Sequence, residues 1–190
     1  MDIYNIIEIL GVTVGLIYLY WEYKADAKMW IAGLIMPLIS MWIYFTKGIY
    51  ADFAINIYYF FIAIYGYWNW THHREGKHKE LPITHIPLKI GGICVFTVLL
   101  LWYAIAWVLI NFTDSTIPWI DAFTTAMSIV GLWMGSQKYC EQWLVWLIVN
   151  IVTVPMQLYK GLIFYPCLYI LYAVMSVIGY IHWIKLMRKY

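Results

Sequence analysis

Residues 29–70 read MWIAGLIMPLISMWIYFTKGIYADFAINIYYFFIAIYGYWNW, and residues 142–183 read QWLVWLIVNIVTVPMQLYKGLIFYPCLYILYAVMSVIGYIHW. The two runs align without a gap at an offset of 113 (142 − 29). Trp30, Leu34, Ile35, Lys47, Gly48, Ile57, Tyr59, Gly66, Tyr67 and Trp70 return as Trp143, Leu147, Ile148, Lys160, Gly161, Ile170, Tyr172, Gly179, Tyr180 and Trp183. An apolar chain matches Leu to Ile cheaply. It does not so easily repeat a Lys-Gly turn and a Gly-Tyr-x-x-Trp end. Duplication within an apolar chain is a common transporter architecture, with the cargo held between the halves.

The rest of the composition agrees with a chain embedded in lipid. Of 190 residues, 64% are hydrophobic and 12% charged, against about a quarter charged in soluble domains. A span needs roughly 20 apolar residues. Seven segments suffice, at 3–21, 29–46, 50–70, 90–112, 119–137, 142–159 and 163–184, and they leave no room for a soluble catalytic domain. Cys94, Cys140 and Cys167 show no paired spacing, so neither a disulfide framework nor a zinc site is expected. No basic region precedes the first apolar run, which therefore reads as a retained helix.

Charge placement predicts the orientation. With seven spans, Lys24, Lys28, Arg74, Lys77, Lys79, Lys89, Lys138, Lys185, Arg188 and Lys189 fall on one side, and only Lys47 and Lys160 on the other. Basic residues stay in the cytoplasm, which places the N-terminus outside and the C-terminus inside. The expected domains are a three-helix repeat over 1–70, a cytoplasmic loop with a linker helix over 71–118, and a second repeat with a short basic tail over 119–190. Four crossings separate the first helix from the fifth, so the halves point the same way, as in SWEET-type carriers. In the first helix of each half the match weakens. Gly15-Leu16 meets Gly131-Leu132 only after a shift of three residues, which predicts that the Trp21–Lys28 connection is longer than its counterpart.

The loop Thr71–Lys89 gathers His72, His73, His78 and His85. No Cys or carboxylate stands near them at ligand spacing, so the loop reads as a solvated linker and no metal is expected. Asn111-Phe112-Thr113 fits a glycosylation acceptor, a common tripeptide.

The sixth segment carries the chemistry. Trp143, Trp146, Asn150, Thr153 and Gln157 step by 3, 4, 3 and 4 along one helical face, with Leu, Val and Ile between them. An amide in mid-span is costly unless it faces protein or a wet cavity. Tryptophan faces attract a flat cation by about 0.5–2 kcal/mol each, and amides then fix its orientation. The third segment offers Asp52, Asn56 and Tyr59 at similar spacing, and the seventh offers Tyr169, Tyr172 and Ser176. Ser128 follows Asp121, Thr124 and Thr125 in the fifth. These residues form the expected substrate site: Asp52, Asn56, Tyr59, Ser128, Trp143, Trp146, Asn150, Gln157, Tyr169, Tyr172 and Ser176. Glu8 is embedded in the first segment and needs a partner or a cavity. Pro37 and Pro155 interrupt related spans and offer bending points.

Lys138-Tyr139-x-Glu141-x-Trp143-x-x-Trp146-x-x-x-Asn150, with Asp121 and Ser128 before it, resembles the signature of PnuC-type vitamin transporters. Gly33-Leu34-Ile35, Tyr50-Ala51 and Ile64-Tyr65-Gly66 with Trp70 fit the family's first half, so the resemblance covers nearly the whole chain. It implies an all-α bundle of seven transmembrane helices in a 3+1+3 parallel repeat, set in a bacterial inner membrane. It also implies a homotrimer and a small cationic vitamin as cargo, either nicotinamide riboside or, in the PnuT branch, thiamine. The riboside branch carries asparagine where this chain has Met36, Ala63 and Ile178. Buried hydroxyls left without partners cost about 1–3 kcal/mol each, so the resemblance points first to thiamine and second to nicotinamide riboside.

Other classes fit less well. An enzyme needs a nucleophile, a metal set or an oriented base, and only isolated groups such as Glu8 and Ser176 are available. An interaction protein does not need polar stripes in both repeats. No phosphate-binding loop supports primary active transport. Without an evident acid–base relay the expected mode is facilitated diffusion by alternating access, with no cofactor and no nucleic-acid partner.

Overall fold

In a computed structural model, described here over residues 3–46, 50–72, 81–159 and 164–188, the chain is all-helical. Side chains are described over the same ranges except at 3–11, 43, 50–52 and 164–165. Seven helices follow one another: α1 (Ile3–Tyr23), α2 (Lys28–Thr46), α3 (Tyr50–Thr71), α4 (Leu88–Phe112), α5 (Pro118–Ser136), α6 (Gln142–Tyr159) and α7 (Phe164–Met187). The described residues form no strand, only an isolated parallel bridge between Thr84 and Tyr139. Helices Lys28–Thr46, Leu88–Phe112 and Gln142–Tyr159, with Pro166–Met187 of α7, are long and apolar enough to cross a membrane. Helices α1, α3 and α5 have similar lengths of 21, 22 and 19 residues. Polar residues such as Asn56 in α3 and Thr124, Thr125 and Ser128 in α5 lower their apolar character.

Two compact units divide the chain at Leu81 and Pro82. In the first, α2 packs on both α1 and α3; in the second, α4, α5, α6 and α7 pack each on the next. Proline sets two of the boundaries. Pro87 precedes α4, and Pro118 opens α5, where its missing N–H is one the helix leaves unpaired anyway. Pro37 and Pro155 lie inside α2 and α6, which continue through them.

Each unit holds the same lock. Trp30 lies over Gly66, where a Cβ would come within 2.4 Å of the indole. Trp70 meets Trp30 edge-on at 5.7 Å and 89°. In the second unit Trp143 lies over Gly179, with 2.7 Å to a Cβ there, and Trp183 meets it at 5.8 Å and 86°. All four indoles are buried. Only glycine lets these helix backbones approach the rings so closely.

The offset of 113 also runs through the turn after α1 and the turn after α5. α1 ends at Tyr23 and α5 at Ser136 (136 − 23 = 113). Ala25 and Lys138 both stand left-handed, at φ 54° and 55°. Asp26 N–H donates to Trp21 O at 3.0 Å, and Ala25 N–H to Glu22 O at 3.0 Å. Tyr139 N–H to Met134 O at 3.1 Å and Lys138 N–H to Gly135 O at 2.9 Å repeat that pair. Both turns are Schellman caps with a non-glycine residue in the left-handed position. The expectation of a longer Trp21–Lys28 connection is therefore corrected. Bulk has exchanged sides: Tyr18 of α1 fits against Gly33 of α2, whereas Gly131 of α5 accommodates Trp146 of α6. Matching Gly15 to Gly131 follows the small residue and loses the register.

Candidate functional site

The row on α6 holds together through hydrogen bonds within the second unit. Trp146 Nε1 donates to Gln142 Oε1 at 3.2 Å, one turn back on the same helix. Asn150 Nδ2 donates to Ser176 Oγ of α7 at 3.4 Å, and Ser176 Oγ donates to Tyr172 O at 2.8 Å. Asn150 and Ser176 are buried, so this link joins α6 to α7 at the level of the amide. Tyr172 and Tyr169 are half-buried and meet edge-on at 6.1 Å and 89°. Thr153 is buried and turns its hydroxyl back to Val149 O at 2.7 Å. Gln157 is half-buried two turns beyond Asn150.

The two tryptophans differ in what surrounds them. Trp146 is half-buried and touches Gly131 with one ring edge, 3.7 Å from a Cβ built there. Trp143 is 1% exposed and is covered by Gly179 and Trp183. Its Nε1 is buried without a hydrogen-bond partner. Ser128 is half-buried on α5 and returns its hydroxyl to Thr124 O at 2.8 Å. Asp121, at the start of α5, accepts a hydrogen bond from Ser115 Oγ at 2.7 Å. In the first unit Asn56 and Tyr59 are half-buried on α3, with Tyr59 against Tyr58 at 5.9 Å. The side chains of Asp52 and Glu8 lie outside the described residues.

The sequence pattern missed Gln142. It stands between the signature residues Glu141 and Trp143, is 1% exposed, and keeps a buried Nε2 with no hydrogen-bond partner. Its oxygen accepts from Trp146, and its unmet donor costs about 1–3 kcal/mol.

A second polar cluster lies in the turn between α5 and α6. His85 Nδ1 is 2.6 Å from Glu141 Oε1 and 3.2 Å from Cys140 Sγ. Ile86 N–H donates to Glu141 Oε2 at 2.9 Å. Burial pushes the Glu141 carboxyl up, but hydrogen bonds from His85 and Ile86 outweigh it and hold the group below its ordinary value. Burial and then the neighbouring Glu141 push the Cys140 thiol up to about 12. The sequence reading found no Cys or carboxylate at ligand spacing to the loop histidines. Folding brings His85 to two residues 55 and 56 positions away.

The model of the nicotinamide mononucleotide transporter family matches residues 5–185. The nicotinamide riboside transporter PnuC of Escherichia coli K12 is 24% identical over 207 residues, covering 96% of this chain and 87% of that protein. The protein of the same name from Neisseria mucosa is 25% identical over 197 residues, covering 95% and 73%. The riboflavin/roseoflavin transporter RibM of Streptomyces davaonensis is 30% identical over 66 residues, covering 35% and 31%. The crystal structure of the vitamin B3 transporter PnuC superposes with a TM-score of 0.73 at 22% identity, over 95% of this chain and 81% of that one.

Proposed function

We propose, from the premise that this chain belongs to the nicotinamide mononucleotide transporter family of membrane vitamin transporters, that its cargo is nicotinamide riboside. The chain is a multi-pass membrane transporter and not an enzyme. The full-length relatives named for nicotinamide riboside carry the choice of cargo. The order drawn from Met36, Ala63 and Ile178 is thereby reversed, and thiamine becomes the second reading.

The row on α6 supports a cargo of this chemistry. A pyridinium ring is flat and cationic, and the half-buried face of Trp146 suits it by a cation–π contact of about 0.5–2 kcal/mol. The carboxamide and ribose hydroxyls need amide and hydroxyl partners, which Asn150, Ser176 and the unspent donor of Gln142 supply. In this reading Tyr169, Tyr172, Gln157 and Ser128 line the same path within the second unit. Trp143 acts by fixing the start of α6 on α7. The repeats are α1–α3 and α5–α7 with α4 as the linker, the C-terminus is cytoplasmic, and transport is facilitated diffusion.

The test is titration of the purified protein with nicotinamide riboside and with thiamine, followed by tryptophan fluorescence. Nicotinamide riboside should quench at micromolar concentration or below, equivalent to about −8.2 kcal/mol or better. Trp146→Ala and Asn150→Ala should each weaken it at least tenfold. Tight thiamine binding without riboside binding would reverse the choice of cargo. Unchanged affinity in both variants would return the row to helix packing.

A further inference from the structure

The segment before α4 is fastened to the α5–α6 turn by its backbone. Thr84 N–H donates to Lys138 O at 3.2 Å, and Cys140 N–H donates to Thr84 O at 3.0 Å. This pairing fixes the positions from which His85, Cys140 and Glu141 project. Their ligand atoms, one imidazole nitrogen, one sulfur and one carboxylate oxygen, all lie within 4.8 Å of one another. We propose that His85, Cys140 and Glu141 form a binding site for one borderline-soft divalent ion of the Zn²⁺ class.

The donor set decides the class. Imidazole, thiolate and carboxylate together suit zinc and its neighbours, whereas magnesium and calcium take oxygen ligands and do not choose sulfur. Tetrahedral zinc with bonds near 2.0–2.3 Å keeps its ligand atoms roughly 3.4 Å apart. Cys140 Sγ already lies 3.2 Å from His85 Nδ1. The 2.6 Å contact between His85 Nδ1 and Glu141 Oε1 has to open by about 0.8 Å to reach that separation. Glu141 Oε2 stays held by the Ile86 N–H, a support of the kind that orients metal ligands. The His85 side chain is 55% exposed. It gives the ion a way in and leaves a fourth position for water.

Hydrogen bonds from His85 and from the Cys140 thiol to Glu141 account for the contacts one pair at a time, whereas an ion accounts for an imidazole, a thiol and a carboxylate converging on one point. A cysteine binds zinc as the thiolate, so binding exchanges the S–H bond for a metal–sulfur bond and passes the proton to the buffer.

The experiment uses the full chain in detergent carrying His72→Gln, His73→Gln and His78→Gln, which removes the other histidines of that loop. One equivalent of Co²⁺ should produce a thiolate-to-cobalt charge-transfer band, and Zn²⁺ should displace it. Cys140→Ser should abolish the band, while Cys94→Ser and Cys167→Ser leave it. His85→Ala and Glu141→Gln should weaken Zn²⁺ binding at least tenfold. Absence of the band, or a band that survives Cys140→Ser, overturns the proposal. Cys140→Ala supplies a second variant where Cys140→Ser fails to fold, and the same outcomes are read from it.

Discussion

Gly179→Ala should destabilise the protein although alanine is the better helix former. A Cβ at this position would lie 2.7 Å from three ring carbons of Trp143, where carbon pairs prefer about 3.5–4.0 Å. The indole has nowhere to go, since it is buried and Trp183 stands against it edge-on. Overpacking of this kind costs about 1–3 kcal/mol, while replacing glycine in a helix returns about 0.8–1.0 kcal/mol. Gly92→Ala supplies the control, because nothing lies within 4 Å of a Cβ there. The helix gain is common to both variants, so their difference isolates the clash at about 1–3 kcal/mol. For a chain of this size each kcal/mol moves the melting temperature by about 2–4 °C. Gly179→Ala should therefore melt about 2–12 °C below Gly92→Ala by thermal unfolding in detergent. Because Trp143 opens α6, riboside quenching of Trp146 should weaken as well. Equal melting temperatures would refute the lock.

Ala25→Gly should stabilise the first unit by about 1 kcal/mol, since the left-handed position costs a non-glycine residue about 1–2 kcal/mol and glycine gives back about 0.5–1 through the unfolded chain. A melting temperature at or below the native value would remove the Schellman cap from the account. Glu141 holds a carboxyl whose folded-state value lies below the ordinary 4.5. Its contribution is thus complete above that value and is lost as pH falls through the folded one. Glu141→Gln should lower the melting temperature at neutral pH and converge on the native protein in acid; a constant difference across the range would show that no proton is involved.

The repeat of residues 29–70 in 142–183 carried most of the fold, because Trp30, Gly66 and Trp70 perform one packing task and their counterparts perform it again. Register was lost where volume is shared between helices. Tyr18 and Gly33 do the work of Gly131 and Trp146 with large and small exchanged, and a residue-by-residue match reads that as a shift. On α6, periodicity placed Trp143 and Trp146 on a common stripe, but spacing along one helix does not show what covers it. Trp183 and Gly179 cover Trp143, while Trp146 retains a half-buried face. The hydrogen bond from Asn150 to Ser176 agrees with an amide that must meet a partner in mid-span. Nothing local linked His85 to Cys140 and Glu141, because a backbone pairing at Thr84 brings them together across the whole of α4 and α5. The cargo was the least legible element. Absent asparagines at Met36, Ala63 and Ile178 describe what the chain lacks, whereas its full-length relatives are named for nicotinamide riboside.

The most direct measurement is uptake into liposomes containing only this protein, with the membrane potential clamped at zero. That clamp matters because a cation gains about 2.3 kcal/mol per 100 mV from a negative interior even through a passive carrier. Labelled nicotinamide riboside should equilibrate across the membrane without accumulating, and excess unlabelled riboside should compete with it better than thiamine does. Entry of thiamine but not riboside, or no entry of either above protein-free liposomes, would contradict the account.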